Sequence, residues 1–196
     1  MKDVNAFQAF RELLRRDRSI RRFDHSMPIP EKTLRQLVEL TRYCASGRNA
    51  QPLRYRLVCS EEECAAIFPA LAWAGYYRDW MGPEPEQRPV AYLVQCLDTK
   101  YGENCLCDDG LQLQAITLGA QTLGIGGCII KAFNADMVAE ALGIDTRYKP
   151  RYVLALGYPD EAVEIVEMTD PDKFEYYRDA ADRQCVPKRS LDELII

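Results

Sequence analysis

Residues 111–133 read LQLQAITLGAQTLGIGGCIIKAF. The first half is apolar on most faces, which predicts a central buried helix over 111–123, with Asp108 or Asp109 placed to cap it. Gly124, Gly126 and Gly127 then end the helix, and GCIIKAF leads into an extended segment. A dinucleotide-binding loop would instead open a helix after a strand and carry GxGxxG spacing, so a Rossmann reading fails here. Glycines at these positions let the backbone approach a flat ligand or a neighbouring helix closely.

Outward from that stretch, YRLVCS at 55–60, PVAYLVQCL at 89–97 and RYVLALGYP at 151–159 are β-branched or aromatic runs of strand length. Val4, Phe7 and Phe10 fall at helical spacing and predict a first amphipathic helix over 4–16 with arginines on its outer side. A second helix opens with Pro30 at its first position and is closed by Ser46-Gly47. Shorter helices are expected at 61–69 and at 135–142, the latter capped by Asn134 and stopped by Gly143. Helices and strands interleave without a regular βαβ beat, so the chain reads as one α+β domain, residues 1–196, with a sheet covered by helices. The polar tail after residue 160 shows no core of its own and is expected to dock on a second subunit. The aromatic stretch WAGYYRDWMGPEPEQRP, 73–89, reads either as a packed surface excursion or as a lid over a ligand pocket, most clearly its 73–80 part.

Composition narrows the chemistry. The chain has 196 residues, 47% hydrophobic, a net charge of -5, one histidine and eight cysteines. One histidine excludes three-histidine zinc sites, Cys2His2 fingers and HExxH proteases. His25 sits in the polar stretch FDHSMPIP and no GxSxG elbow exists, so a Ser-His-Asp triad has no support either. The acidic balance argues against nucleic-acid binding. No apolar run is long enough to span a bilayer and no signal-peptide core opens the chain, so a cytoplasmic protein without a membrane partner is expected. In that compartment the cysteines are thiols. Cys105, Cys107 and, further on, Cys128 are the one grouping that invites a thiol or metal reading, but the spacing supplies no ligand set, and no metal is expected.

Three segments combine polar residues with tight turns. Arg18-Ser19-Ile20-Arg21-Arg22 offers cations and a hydroxyl suited to a phosphate. Ala45-Ser46-Gly47-Arg48-Asn49-Ala50-Gln51-Pro52 offers an amide, a hydroxyl and backbone N–H groups beside a strand. The glycine run at 124–127 is the third. In this order, and with LALGYP and the C-terminal VPKRSLDELI, they resemble the nitroreductase family of FMN-dependent oxidoreductases over nearly the whole chain, roughly residues 8–196.

That resemblance implies a central mixed or antiparallel sheet flanked by helices, a C-terminal tail embracing a partner subunit, and a homodimer with FMN at the interface. It implies that Arg18 and Ser19 bind the FMN phosphate, with Lys188 and Arg189 completing that site. Arg21 would lie near the ribityl chain or the N1/C2 carbonyl edge. Asn49, with Ser46 and Gln51 nearby, would contact the flavin from the other subunit. The backbone at Ile130 and Lys131 would lie by N5 and O4. No side chain would be catalytic in its own right, because hydride from NADH or NADPH would pass through flavin N5 to a small flat acceptor such as a nitroaromatic or quinone. A flavin-binding sensor or carrier without turnover would use the same cofactor residues. The chain departs from many relatives at Leu53, where an aromatic residue is common, and at Lys131, where an acidic or small one is.

Overall fold

The computed structural model describes residues 4–196. Helix α1 spans Val4–Arg16, strand β1 Phe23–Asp24 and helix α2 Glu31–Glu39. Strand β2 is Leu53–Val58, helix α3 Glu61–Ile67 and strand β3 Ala91–Asp98. Helix α4 covers Asp108–Thr122, strand β4 Gly126–Ile130, helix α5 Ala135–Ala141 and strand β5 Tyr148–Pro159. Strands β6 Val163–Glu167, β7 Tyr177–Arg178 and β8 Gln184–Lys188 follow.

The first five strands form one sheet, ordered β1-β5-β3-β2 with β4 also on β5. Every strand pair in it is antiparallel, which resolves the mixed-or-antiparallel expectation. All eight residues of β3 are buried because both faces of the sheet are covered. Tyr92, Val94 and Cys96 face one core with Ile67, Val138 and Val153, while Ala91 and Leu93 face another with Leu34, Leu37, Leu113 and Ile116. Strand periodicity of two divides the side chains between α3/α5 on one side and α2/α4 on the other.

Some boundaries differ from the sequence reading. Pro30 is the N-cap of α2 rather than its first residue, and the helix gives way at Leu40–Tyr43 to a tighter turn before reaching Ser46. Helix α4 starts at Asp108, so neither aspartate caps it; Cys107 holds that position without a side-chain bond. Nor is this stretch wholly buried, since Leu111 in α4 and Leu123 just past its end are 45% and 50% exposed. Asn134 does cap α5, accepting from the Met137 N–H at 3.1 Å.

The tail differs most. It builds a second sheet, ordered β6-β8-β7, in which β6 and β8 run parallel. Buried Gln184 and Cys185 on β8 give it the interior that the polar composition concealed. It docks on its own chain, with the Tyr77 hydroxyl donating to Gln184 Oε1 at 2.7 Å. The aromatic loop is thus packed: Trp73 lies in a core, and Tyr76 and Tyr77 stack edge-on against Tyr176.

Candidate functional site

After α1 the chain runs extended along the edge of β4. Ser19 bridges to Gly127, and the Ile20 N–H donates to the Gly127 carbonyl at 2.9 Å. A Cβ at Gly126 would stand 2.6 Å from Ile20 Cγ1, so the glycine is required by the approach of this extended segment rather than of a helix. Gly124, at φ +73°, lets the chain reverse between α4 and β4. Ser19 covers the outer edge of β4 at Gly127, and Leu71 pairs with Phe133 beyond it. Residues 128–131 lie between these two contacts with no strand on that edge among the described residues.

The cations of this segment are held differently. Arg18 Nη2 donates to the Leu14 carbonyl at 2.9 Å, and Arg22 pairs with Asp182 at 2.5 Å. The Arg21 guanidinium lies 4.6 Å from the centre of the Tyr176 ring. The Nε atoms of Arg18 and Arg21 are both buried and have no acceptor. An unmatched buried N–H costs about 1–3 kcal/mol; Arg88 and Arg151 have Nε atoms in the same state, but Arg18 and Arg21 share one short segment.

Two acidic residues that the sequence reading did not single out complete the surroundings. Glu161, with a side chain 2% exposed, accepts from the backbone N–H groups of Arg21 and Arg22 and from the Arg178 guanidinium. Asp17 lines a cavity of about 170 Å³ with Arg18, Ser19, Gln114, Thr117, Gly127 and Ile129. Its Oδ2 accepts from Gln114 Nε2 at 2.6 Å and Thr117 Oγ1 at 2.7 Å. Burial raises the Asp17 carboxyl above its usual range, against the opposing pull of those two bonds and of Arg18. Asp17 adjoins the arginine motif in sequence and could have been weighed; nothing local in the sequence marks Glu161.

The second segment sits at the start of α4. Asp108 accepts from Ser46 Oγ at 2.6 Å and from the Gly47 N–H at 2.9 Å, and Ser46 Oγ in turn accepts from the Gln51 N–H at 2.9 Å. Gln51 Nε2 donates to Asn49 Oδ1 at 3.1 Å. Arg48, Asn49 and Gln51 all have positive φ, of 53°, 54° and 48°. Three left-handed non-glycine residues within four positions store strain of the kind found at binding loops. The structure therefore brings Ser46, Asn49 and Gln51 together, at one wall of a cavity of about 280 Å³ with Arg42, Tyr55 and Gln112.

It does not bring this loop to Arg18. The loop is bonded to Asp108 and the Arg18 cavity to Thr117, nine residues along α4, which places them about 13 Å apart in height and on opposite helix faces. Ile130 is buried opposite Val153, while Lys131 donates to the Arg151 carbonyl at 3.3 Å and lies over Tyr152. Lys188 ends β8, and Arg189 pairs with Glu193 at 3.3 Å. No hydrogen bond or ion pair joins either to Arg18 or Ser19. His25 is a surface residue whose Nδ1 lies 3.1 Å from the Arg88 carbonyl.

All eight cysteines are unpaired. Cys105 Sγ donates to Asp109, itself paired with Arg151, and Cys107 is exposed. Among the described residues no group of three or more His, Cys, Asp or Glu could hold a metal. Burial pushes the Cys64 and Cys96 thiols up to about 12. Under native conditions a thiol reagent at neutral pH is expected to label Cys107 first and to leave Cys64, Cys96 and Cys105 unreacted until the protein unfolds. Peptide mapping of the labelled protein checks this order.

No helix of the described residues is long and apolar enough to cross a membrane. A Stenotrophomonas maltophilia protein named "Putative NADH dehydrogenase/NAD(P)H nitroreductase" is 26% identical over 152 residues, covering 69% of this chain and 78% of the relative. Among solved structures, a nitroreductase family protein from Streptococcus pneumoniae aligns with a TM-score of 0.66 at 20% identity, over 86% of this chain and 100% of that one. An FMN-dependent nitroreductase from Clostridium difficile aligns at 0.64 and 17% identity, over 78% and 88%. The sequence profile of the nitroreductase family matches residues 14–87 and 106–158, more than half of the chain. The chain is therefore a member of the nitroreductase family.

Proposed function

We propose that the protein is an FMN-dependent oxidoreductase that uses NADH or NADPH to reduce a small flat acceptor, such as a nitroaromatic or quinone, from a site shared between two subunits. The observation that carries this reading is the pair of buried, acceptorless Nε–H groups on Arg18 and Arg21, on one short segment beside an open stretch of strand edge. A phosphate and a carbonyl-bearing ring edge supply the acceptors these donors lack. Arg18 and Ser19 would hold the phosphate, Arg21 the N1/C2 carbonyl edge, and the backbone at Ile130 and Lys131 the N5/O4 edge. When bound, FMN accepts hydride and passes electrons on, chemistry that no side chain here supplies. The chain's own part is electrostatic: a guanidinium at the ring edge favours the more negative, reduced form.

The shared site is supported by two features. Ser46, Asn49 and Gln51 lie on the opposite face of α4 from Arg18, so one flavin is better served by this loop from a second subunit. Helix α1 also buries none of its residues: Val4, Phe7 and Phe10 are 69%, 65% and 51% exposed, and with Leu111 and Leu123 they leave an apolar surface for a partner. In such a dimer the second subunit's tail can bring its copies of Lys188 and Arg189 to the phosphate.

The test is direct. Protein purified without added flavin is expected to be yellow or to bind FMN on titration. The bound flavin should bleach anaerobically with NADH or NADPH and recover with a quinone. Protein that ignores FMN would overturn the reading, and binding without bleaching would leave a flavin carrier. The Phe7→Glu/Phe10→Glu variant is expected to run as a monomer by light scattering and to lose most of its FMN.

A further inference from the structure

The Arg21 guanidinium makes no side-chain hydrogen bond or ion pair among the described residues, and only its own backbone N–H reaches Glu161. What faces it is the Tyr176 ring at 4.6 Å. That ring is not loose: Tyr76 and Tyr77 meet it edge-on, with centroids at 4.8 and 5.3 Å, and Phe174 packs on Tyr76 at 6.4 Å. Tyr77 is itself fixed by its hydroxyl bond to fully buried Gln184. The aromatic loop and the C-terminal tail therefore meet at one guanidinium.

We propose that Tyr176 is a positioning residue that holds the Arg21 guanidinium against its ring, buttressed by Tyr76 and Tyr77, and thereby sets how strongly the site favours reduced over oxidised flavin. This rests on the FMN reading above. An arginine paired with a carboxylate would have its charge largely neutralised. A stacked arginine keeps its charge and all its in-plane N–H donors free for the ring edge, while the aromatic face limits its rotation. The aromatic loop is then a buttress of the cofactor site, tied down at Trp73 and Gln184, rather than a lid that swings.

Three variants separate stacking from bulk. Tyr176→Leu keeps an apolar side chain but removes the π face, whereas Tyr176→Phe keeps the ring; Tyr77→Phe removes only the bond to Gln184. The Tyr176→Leu protein is expected to lower the preference for reduced over oxidised FMN about fivefold, which for a two-electron couple is a fall of about 20 mV in the bound flavin's potential. Tyr176→Phe should keep the wild-type potential, and Tyr77→Phe should fall between the two. A Leu variant with unchanged potential, or a Phe variant shifted as far as the Leu variant, overturns the proposal.

A second measurement needs no flavin. In the protein without cofactor, the Arg21 Nε–H proton should show an upfield ring-current displacement by NMR, kept in Tyr176→Phe and lost in Tyr176→Leu. An undisplaced proton in the wild type would refute the stacking itself. Protein that shows the displacement but binds no FMN would refute the flavin reading and the potential-setting role while leaving the stack standing.

Discussion

Replacing Glu161 by alanine is expected to destabilise the protein by about 3–5 kcal/mol. The carboxylate, 2% exposed, is the common acceptor for two backbone N–H groups, of Arg21 and Arg22, and for the Arg178 guanidinium of the tail sheet. Truncation leaves all three without their acceptor, and unpaired buried donors cost more than the bonds contribute when made. For a chain of this size the loss corresponds to a fall of roughly 6–20 °C in the unfolding midpoint, read by calorimetry. Glu161→Gln separates the two roles. Its amide oxygen still accepts from the backbone pair but no longer neutralises Arg178, so its midpoint should lie between wild type and alanine. A Glu161→Ala midpoint within 2 °C of wild type would show that the tail sheet and the arginine segment are not held together by this residue. Because the segment 18–22 lines the proposed cofactor site, the alanine protein should also retain little FMN even below its midpoint.

The contrast between Glu161 and the arginines shows where sequence reading reaches and where it stops. Helices α2 and α5 and strands β3 and β5 were legible because burial on one or both faces imposes a period on the side chains, and Asn134 caps α5 through a bond between near neighbours; α1 was legible from the same apolar spacing although it buries none of its residues within this chain. The arginine segment and the Ser46–Gln51 turn were legible as motifs. Glu161 was not, because its partners lie at positions 21, 22 and 178, and nothing local distinguishes a buried acceptor from a surface acid. The second sheet escaped for a similar reason: β6 and β8 are parallel and joined by a long connection, so their pairing leaves no hairpin signature. Asp108 or Asp109 was read as a helix cap, whereas Asp108 holds the Ser46–Gly47 turn across 61 and 62 residues of chain.

Asp17 and Arg18 should act with opposite signs on cofactor binding. Arg18→Ala is expected to weaken FMN by about 1–3 kcal/mol, roughly 5- to 150-fold, through loss of a charge-assisted phosphate contact. Asp17→Asn should tighten it, by roughly tenfold near neutral pH, because an ionised carboxylate in the same cavity opposes a phosphate dianion. The amide oxygen of asparagine can still accept from Gln114 and Thr117, so the local structure is kept. The sign with pH follows from the raised carboxyl. A carboxyl whose folded value lies above 3.8 contributes stability that is full below 3.8 and lost as the pH rises through its folded value. Asp17→Asn should therefore gain stability relative to wild type across that window and hold a constant advantage above it. The ratio of the two FMN dissociation constants should open as Asp17 ionises and again as the phosphate loses its second proton at about pH 6, since both charges enter the repulsion. Fluorescence titrations of FMN from pH 5 to pH 8 read that ratio. A ratio independent of pH, or a variant that binds more weakly, would place the phosphate away from Asp17, and with an unaffected Arg18→Ala would move the phosphate site off this segment altogether.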